Sequence, residues 1–267
     1  AEGIRRANLI DATPIGINVR STVATYCGAL DDVRRAYART DSAKAAGLKM
    51  GDFSYNTGSL RCATCDGTGQ ISLDVQFLPD VDIACPDCHG SRYGTAAEKI
   101  RRSEKGAPDN QALSLPHLLA LSVDEALPHV ADVKKAHEKL QTLHDLGLGY
   151  LTLGESTPAL SGGEAQRLKL ASEMGRGQAD AVFVFDEPTI GLHPRDVETL
   201  LGVFQHLVEQ GATVVVVEHD LDFIANADYV IDMGPQGGKA GGRIVACGTP
   251  EEIAANQESI TGRYLGI

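Results

Sequence analysis

Tryptophan is absent from this chain of 267 residues and aromatic residues make up only 5 %. The composition is otherwise that of a soluble globular protein of a length able to bury one large core or two smaller ones. Long apolar runs are missing too: stretches such as Val214–Val217 fall far short of the roughly 20 residues a membrane-spanning helix needs. No charged-then-apolar leader opens the sequence, so neither secretion nor membrane insertion is expected. The first residue is Ala1 rather than Met, which reads as a fragment. Positive charge is scarce where a DNA-coating surface would need it. Through Asn110 the 14 Lys and Arg equal the 14 Asp and Glu, whereas from Gln111 onward there are 10 against 22, the whole of the −12 net charge. Phosphate backbones are bound mainly by Lys and Arg, so any nucleic-acid contact is expected from the first part.

Four of the six cysteines fall in two pairs, Cys62-Ala-Thr-Cys65 and Cys85-Pro-Asp-Cys88, nineteen residues apart. Two such knuckles can supply four thiolates to one tetrahedral zinc, and without a leader paired cysteines favour metal over disulfides. All four positions are filled and no hydrolytic His or Glu accompanies them, so the site reads as closed and structural. Cys27 and Cys247 are isolated and read as core or strand residues, and a reducing cytoplasm is the expected compartment. Between the knuckles Ile71, Leu73, Val75 and Phe77 alternate with polar neighbours, Leu78-Pro79-Asp80 turns, and Val81 and Ile83 return: a β-hairpin clamped at its base. Its own charge is acidic, so DNA contact would fall to the rim at Arg92, Arg101, Arg102 and Lys105; a solvated basic helix is the alternative for these four.

Elsewhere Arg6–Ile10 reads as a strand ending at Asp11, and residues 31–40 as an amphipathic helix. Residues 41–58 read as an irregular surface connection and 108–116 as a linker. Helices follow over 122–125, with a cap, and 132–146. From Asp180 the pattern becomes α/β. Ala181–Phe185 and Thr213–Val217 read as parallel strands buried on both faces, a helix spans 195–209, and strands at 229–232 and 243–247 complete the sheet. Thr249-Pro-Glu-Glu252 is a well-formed helix start.

The chemistry centres on Leu160-Ser-Gly-Gly-Glu-Ala-Gln-Arg167. Two glycines after a serine let backbone amides approach a phosphate at the positive end of a helix. Alone, Ser161 and Glu164 are better read as a Ser-x-x-Glu capping box. What shifts the balance is Asp186-Glu187 at the end of one apolar strand and His219 at the end of the next, where ligands of open α/β sheets bind. Asp186 would hold magnesium, Glu187 would orient the attacking water, and His219 could reach a terminal phosphate.

Together, Leu-Ser-Gly-Gly-Glu-Ala-Gln-Arg, Phe185-Asp-Glu-Pro-Thr189 and Val217-Glu-His-Asp220 resemble an ABC-type ATPase. The Glu164 form of the signature, Gly191-Leu-His193 and the zinc-clamped insertion resemble the UvrA family, the damage-scanning excinuclease ATPases of bacterial nucleotide excision repair. So do Phe77-Leu-Pro-Asp80, Cys88-His-Gly-Ser-Arg-Tyr93, Leu140-Gln-Thr-Leu143, Gly147-Leu-Gly-Tyr150, Gly248-Thr-Pro-Glu-Glu-Ile253 and Thr261-Gly-Arg-Tyr-Leu265. The resemblance implies an α/β ABC head, incomplete at its N-terminus, plus a helical signature subdomain with an inserted zinc-clamped hairpin. The implied boundaries are 1–58 for the start of the insertion region, 59–110 for the zinc module, 111–178 for the signature subdomain and 179–267 for the Walker B half. Leu160, Ser161, Gly162, Gly163, Glu164 and Gln166 would close over ATP held by an opposing domain, with Asp186, Glu187 and His219 catalytic. Cys62, Cys65, Cys85 and Cys88 would hold zinc near DNA, and Gly191–His193 would lie where the two ATPase domains meet. ATP, Mg²⁺, double-stranded DNA, a second UvrA-like protomer and the helicase UvrB are the implied cofactors and partners, with no membrane.

Two departures stand out. No Gly-x-x-x-x-Gly-Lys-[Ser/Thr] loop occurs; Gly234-Pro-Gln-Gly-Gly-Lys239 has the wrong spacing and position. The loop is expected before Ala1, leaving this stretch inactive alone. Ala12 stands where the family has a magnesium-coordinating glutamine. Divergent paralogues linked to antibiotic self-protection share the motifs. Two other readings compete: a DnaJ-like zinc chaperone module, which Arg92 in place of a glycine opposes, and the ABC component of a drug exporter, which the zinc insertion opposes.

Overall fold

Two compact units make up the chain: a continuous one, Ala12–Gly177, and a discontinuous one formed by Ala1–Asp11 with Gln178–Ile267. The computed structural model describes residues 4–73, 81–104, 112–174, 179–192, 194–234 and 242–266. In chain order the strands are β1 (Arg6–Ile10), β2 (Gln70–Leu73), β3 (Val81–Ala84), β4 (Arg101–Arg102), β5 (Leu113–Ser114), β6 (Ala181–Asp186), β7 (Thr213–Val217), β8 (Val230–Gly234) and β9 (Arg243–Gly248). The α-helices are α1 (Val23–Tyr26), α2 (Ala29–Tyr37), α3 (Asp41–Ala45), α4 (Thr95–Glu98), α5 (Leu115–Leu119), α6 (Val123–Ala126), α7 (Lys134–Asp145), α8 (Gly162–Met174), α9 (Pro194–Glu209), α10 (Leu221–Ala225) and α11 (Pro250–Ala254).

In the discontinuous unit β1, β6 and β7 form a parallel sheet in that order, with Leu9, Val184 and Val215 in register across it. Alternation along β6 puts Phe183 and Phe185 on one face, where both are buried. Apolar residues three and four apart on α9 (Val197, Leu200, Phe204, Leu207) are buried too, and Phe185 and Phe204 lie with ring centroids 4.3 Å apart. Each such side chain contributes about 1.5–3 kcal/mol through burial. The other face differs from the doubly buried sheet that the apolar runs predict. Leu9, Val215 and Val217 are 64 %, 47 % and 50 % exposed, because nothing among the described residues covers that side. A second correction concerns the last strands: β8 and β9 do not complete this sheet but pair antiparallel with each other. α11 packs on them through Ile253 and starts at the expected Thr249–Glu252 capping box.

The continuous unit is helical around Leu115, Leu118, Leu140 and Leu143, all fully buried. Residues 41–58, read as surface connection, instead contain α3, a 3-10 turn over Met50–Phe53, and two of the most buried aromatics, Phe53 and Tyr55. Their polar atoms are satisfied within the core: Tyr93 donates to the Phe53 carbonyl (2.8 Å) and Tyr55 to that of Arg20 (2.8 Å). Of the expected linker, residues 108–111 lie outside the described residues. The rest is structured, Leu113–Ser114 pairing with Arg101–Arg102 and Pro116 sitting in the first turn of α5, where its missing N–H costs nothing.

Candidate metal centre and strand-end site

The four paired cysteines converge. Their sulfurs lie within 4.8 Å of one another and all four residues are buried. Cys62 and Cys85 sulfurs are 3.9 Å apart and those of Cys65 and Cys88 3.6 Å. Thiolates at about 2.3 Å from a tetrahedral zinc would be about 3.8 Å apart, so the set fits that ion. β2 and β3 pair as expected from Gln70↔Ala84 to Leu73↔Val81, and the turn at Leu78–Asp80 lies outside the described residues. Burial opposes ionisation of Cys65, but the Gly69 amide, 3.3 Å from its sulfur, and the neighbouring thiols outweigh it and bring the thiol down to about 7. Burial leads in pushing Cys88 up to about 12. Full ionisation of such a cluster needs a cation at its centre.

The basic rim changes on inspection. Arg92 is only 5 % exposed: its guanidinium donates to the Val19 carbonyl (2.9 Å) and to Ser156 Oγ (2.7 Å) and lies 5.2 Å from the Tyr55 ring centre. Arg102 is committed to the His129 carbonyl (3.0 Å) and to Asp132. Neither is offered to DNA, because each supplies donors that internal oxygens require. Arg101 is exposed; Lys105 lies outside the described residues.

At the start of α8 the capping box is formed. The Ser161 amide donates to Glu164 Oε2 (2.6 Å) and the Glu164 amide to Ser161 Oγ (3.4 Å). Tyr150 donates to the other Glu164 oxygen (2.6 Å). Ser161 and Gly162 are exposed, Leu160, Gly163 and Glu164 half-buried. A Cβ on Gly162 would lie 3.1 Å from that of Ala12, so glycine lets the segment after β1 approach closely. Gln166 is 3 % exposed, in a turn buried from Ala165 to Leu168.

In the discontinuous unit Asp186 ends β6 in register with Val217, the last residue of β7. Glu187 has φ 47, an uncommon conformation for a side-chain-bearing residue, and its backbone N–H donates a hydrogen bond to the Val217 carbonyl (2.9 Å). Its Oε1 lies 3.5 Å from Nε2 of His219, whose side chain is 82 % exposed. The three residues read from sequence thus lie at the carboxyl end of one sheet, after the neighbouring strands β6 and β7. His193 lies outside the described residues; Gly191 takes φ 74 in the turn before it. Sequence reasoning passed over Glu218, whose carboxylate accepts four hydrogen bonds from Thr189, His219 and Asp220. Its position between an apolar strand and the histidine was the available signal.

No family model matches the chain. UvrABC system protein A of Streptococcus pyogenes serotype M6 is 46 % identical over 267 residues, 100 % of this chain and 28 % of that protein. The Bacillus subtilis protein of the same name is 49 % identical over 257 residues, 96 % of this chain and 26 % of its own length. The chain is UvrA-like from end to end. UvrA2 from Deinococcus radiodurans superposes with a TM-score of 0.88 at 44 % identity, covering 98 % of this chain and 31 % of that one. The UvrA likeness includes the α/β unit with its parallel sheet, and gives the chaperone and exporter readings no support. The chain spans less than a third of the length of these UvrA relatives. No described helix is long and apolar enough to cross a membrane.

Proposed function

We propose that this chain is the C-terminal signature, zinc and Walker B region of a UvrA-like ABC ATPase that binds DNA and scans it for damage in nucleotide excision repair. The observation that carries the reading is the pairing of Glu187 with His219 at neighbouring strand ends, 3.5 Å apart, in a UvrA-like chain. Asp186 would hold the magnesium of bound ATP, Glu187 would orient the attacking water and His219 would donate to the terminal phosphate. Magnesium, when bound, neutralises charge developing on the transferred phosphoryl group. The exposed start of α8 at Ser161 and Gly162 offers a second half-site, for ATP held by the other ATPase domain. The four cysteines take one structural zinc, which holds the hairpin rigid at its base. Double-stranded DNA, a second UvrA-like protomer and UvrB are the partners, and dimerisation and DNA engagement follow the ATP cycle.

The uncovered face at Leu9, Val215 and Val217 supports the view that the ATPase head is completed by sequence outside this chain. With no phosphate loop in its 267 residues, the chain alone is inactive. The test has two parts: metal analysis of the purified chain gives about one zinc per chain, and the intact protein hydrolyses ATP while its Glu187→Gln variant does not. Turnover by the isolated chain at a rate typical of a complete ATPase, about 1 s⁻¹ or more, would overturn the division of labour.

A further inference from the structure

The acidic pair and the histidine stand on two separate loops, and one carboxylate joins them. Glu218 Oε1 accepts from the amide (2.9 Å) and hydroxyl of Thr189, two residues after Glu187. Glu218 Oε2 accepts from the amides of His219 (2.7 Å) and Asp220 (3.1 Å). The site is therefore a buckle: one half of the carboxylate grips the turn after β6, the other the turn after β7. Asp220 also caps α10, accepting from the Phe223 amide (2.8 Å), so the grip extends to a helix start. Glu187 holds a conformation that backbone energetics disfavour, and the turn it opens needs an anchor.

We infer that Glu218 is a positioning residue for nucleotide hydrolysis, fixing the separation of Glu187 and His219 by holding the Thr189 turn and the His219 turn on one carboxylate. The inference rests on the reading of Glu187 and His219 as catalytic. Burial opposes the charge on Glu218, but the hydrogen bonds from Thr189, Asp220 and His219 outweigh it and hold the carboxyl below its usual value, so the group is anionic at neutral pH. Every donor aimed at it is an N–H or O–H, so an amide in its place would set an NH2 against two of them.

The test uses Glu218→Ala and Glu218→Gln. In the 267-residue chain, Glu218→Ala removes both acceptor oxygens, so hydrogen exchange at the Thr189, His219 and Asp220 amides accelerates together by about tenfold or more, while β6 amides keep their protection. Acceleration in one turn only, or in neither, overturns the inference. In the intact protein Glu218→Gln lowers kcat about tenfold to a hundredfold with KM for ATP unchanged, Thr189→Val loses part of that rate and Thr189→Ser restores it. A Glu218→Gln variant with wild-type kcat, or one whose loss lies wholly in KM, overturns it as well. If Glu187→Gln still hydrolyses ATP, the proposed function fails instead, and the exchange measurement alone decides whether Glu218 holds both turns.

Discussion

Replacing Arg92 with alanine should destabilise the continuous unit by about 3–5 kcal/mol. The guanidinium makes two charged hydrogen bonds, to Val19 O at 2.9 Å and Ser156 Oγ at 2.7 Å, each worth about 1.5–3 kcal/mol. Its stacking over Tyr55 adds about 1 kcal/mol. Its Nε is buried without a partner, which offsets part of the gain. The backbone separates this account from a generic loss of packing. Arg92 sits at φ 72, where a Cβ costs about 1–2 kcal/mol and glycine nothing. Arg92→Gly should therefore be about 1 kcal/mol more stable than Arg92→Ala, although it removes more atoms. Urea unfolding with zinc bound, followed by tyrosine emission, reads this cleanly: there is no tryptophan, and five of the seven tyrosines lie in residues 12–177. A loss below about 1 kcal/mol for Arg92→Ala, or a glycine variant less stable than the alanine one, would refute the reasoning.

Asp32 carries a pH prediction. Burial opposes its charge, but Lys139 at 2.8 Å and then Arg35 at 2.7 Å outweigh that and lower its pKa. A depressed carboxyl contributes stability that is full above its unfolded value of about 4 and is lost as pH falls through the folded one. Lys139→Met should flatten the acid limb of the stability–pH curve, and an unchanged limb would exclude the pair as its source. Gly67→Ala should be worse than either change at Arg92, because φ is +80 and the new Cβ would fall 1.7 Å from the Tyr55 carbonyl oxygen, a backbone atom that cannot swing aside. A thermal midpoint within a degree or two of wild type would contradict that contact.

Features that depend on neighbours in sequence were legible before any coordinates. The cysteine spacing, the capping boxes at Ser161, Ser122 and Thr249, and the acidic ends of apolar strands are local patterns, and the structure keeps them. What sequence hid depends on distant partners. Phe53 and Tyr55 lie in a polar, glycine-punctuated stretch, and distant partners such as Tyr37, Tyr93 and the segment at Arg20 make it interior. Arg92 looked like a rim cation because its acceptors, Val19 and Ser156, are 73 and 64 residues away. Its hint was an arginine standing where the first knuckle has Gly69. The burial of Gln166 was hidden for a related reason: a motif names residues but not which side of the helix is covered.

The valine-rich β7 has a practical consequence. Among the described residues it is an edge of its sheet, with β6 on one side and no strand on the other. Thr213-Val-Val-Val-Val217 is uncharged, β-branched throughout and half open to solvent on one face. Such an edge invites strand-on-strand pairing between chains. Made by itself, this 267-residue piece should self-associate through β7 as concentration rises, and a lysine at Val215, on the open face, should keep it dispersed.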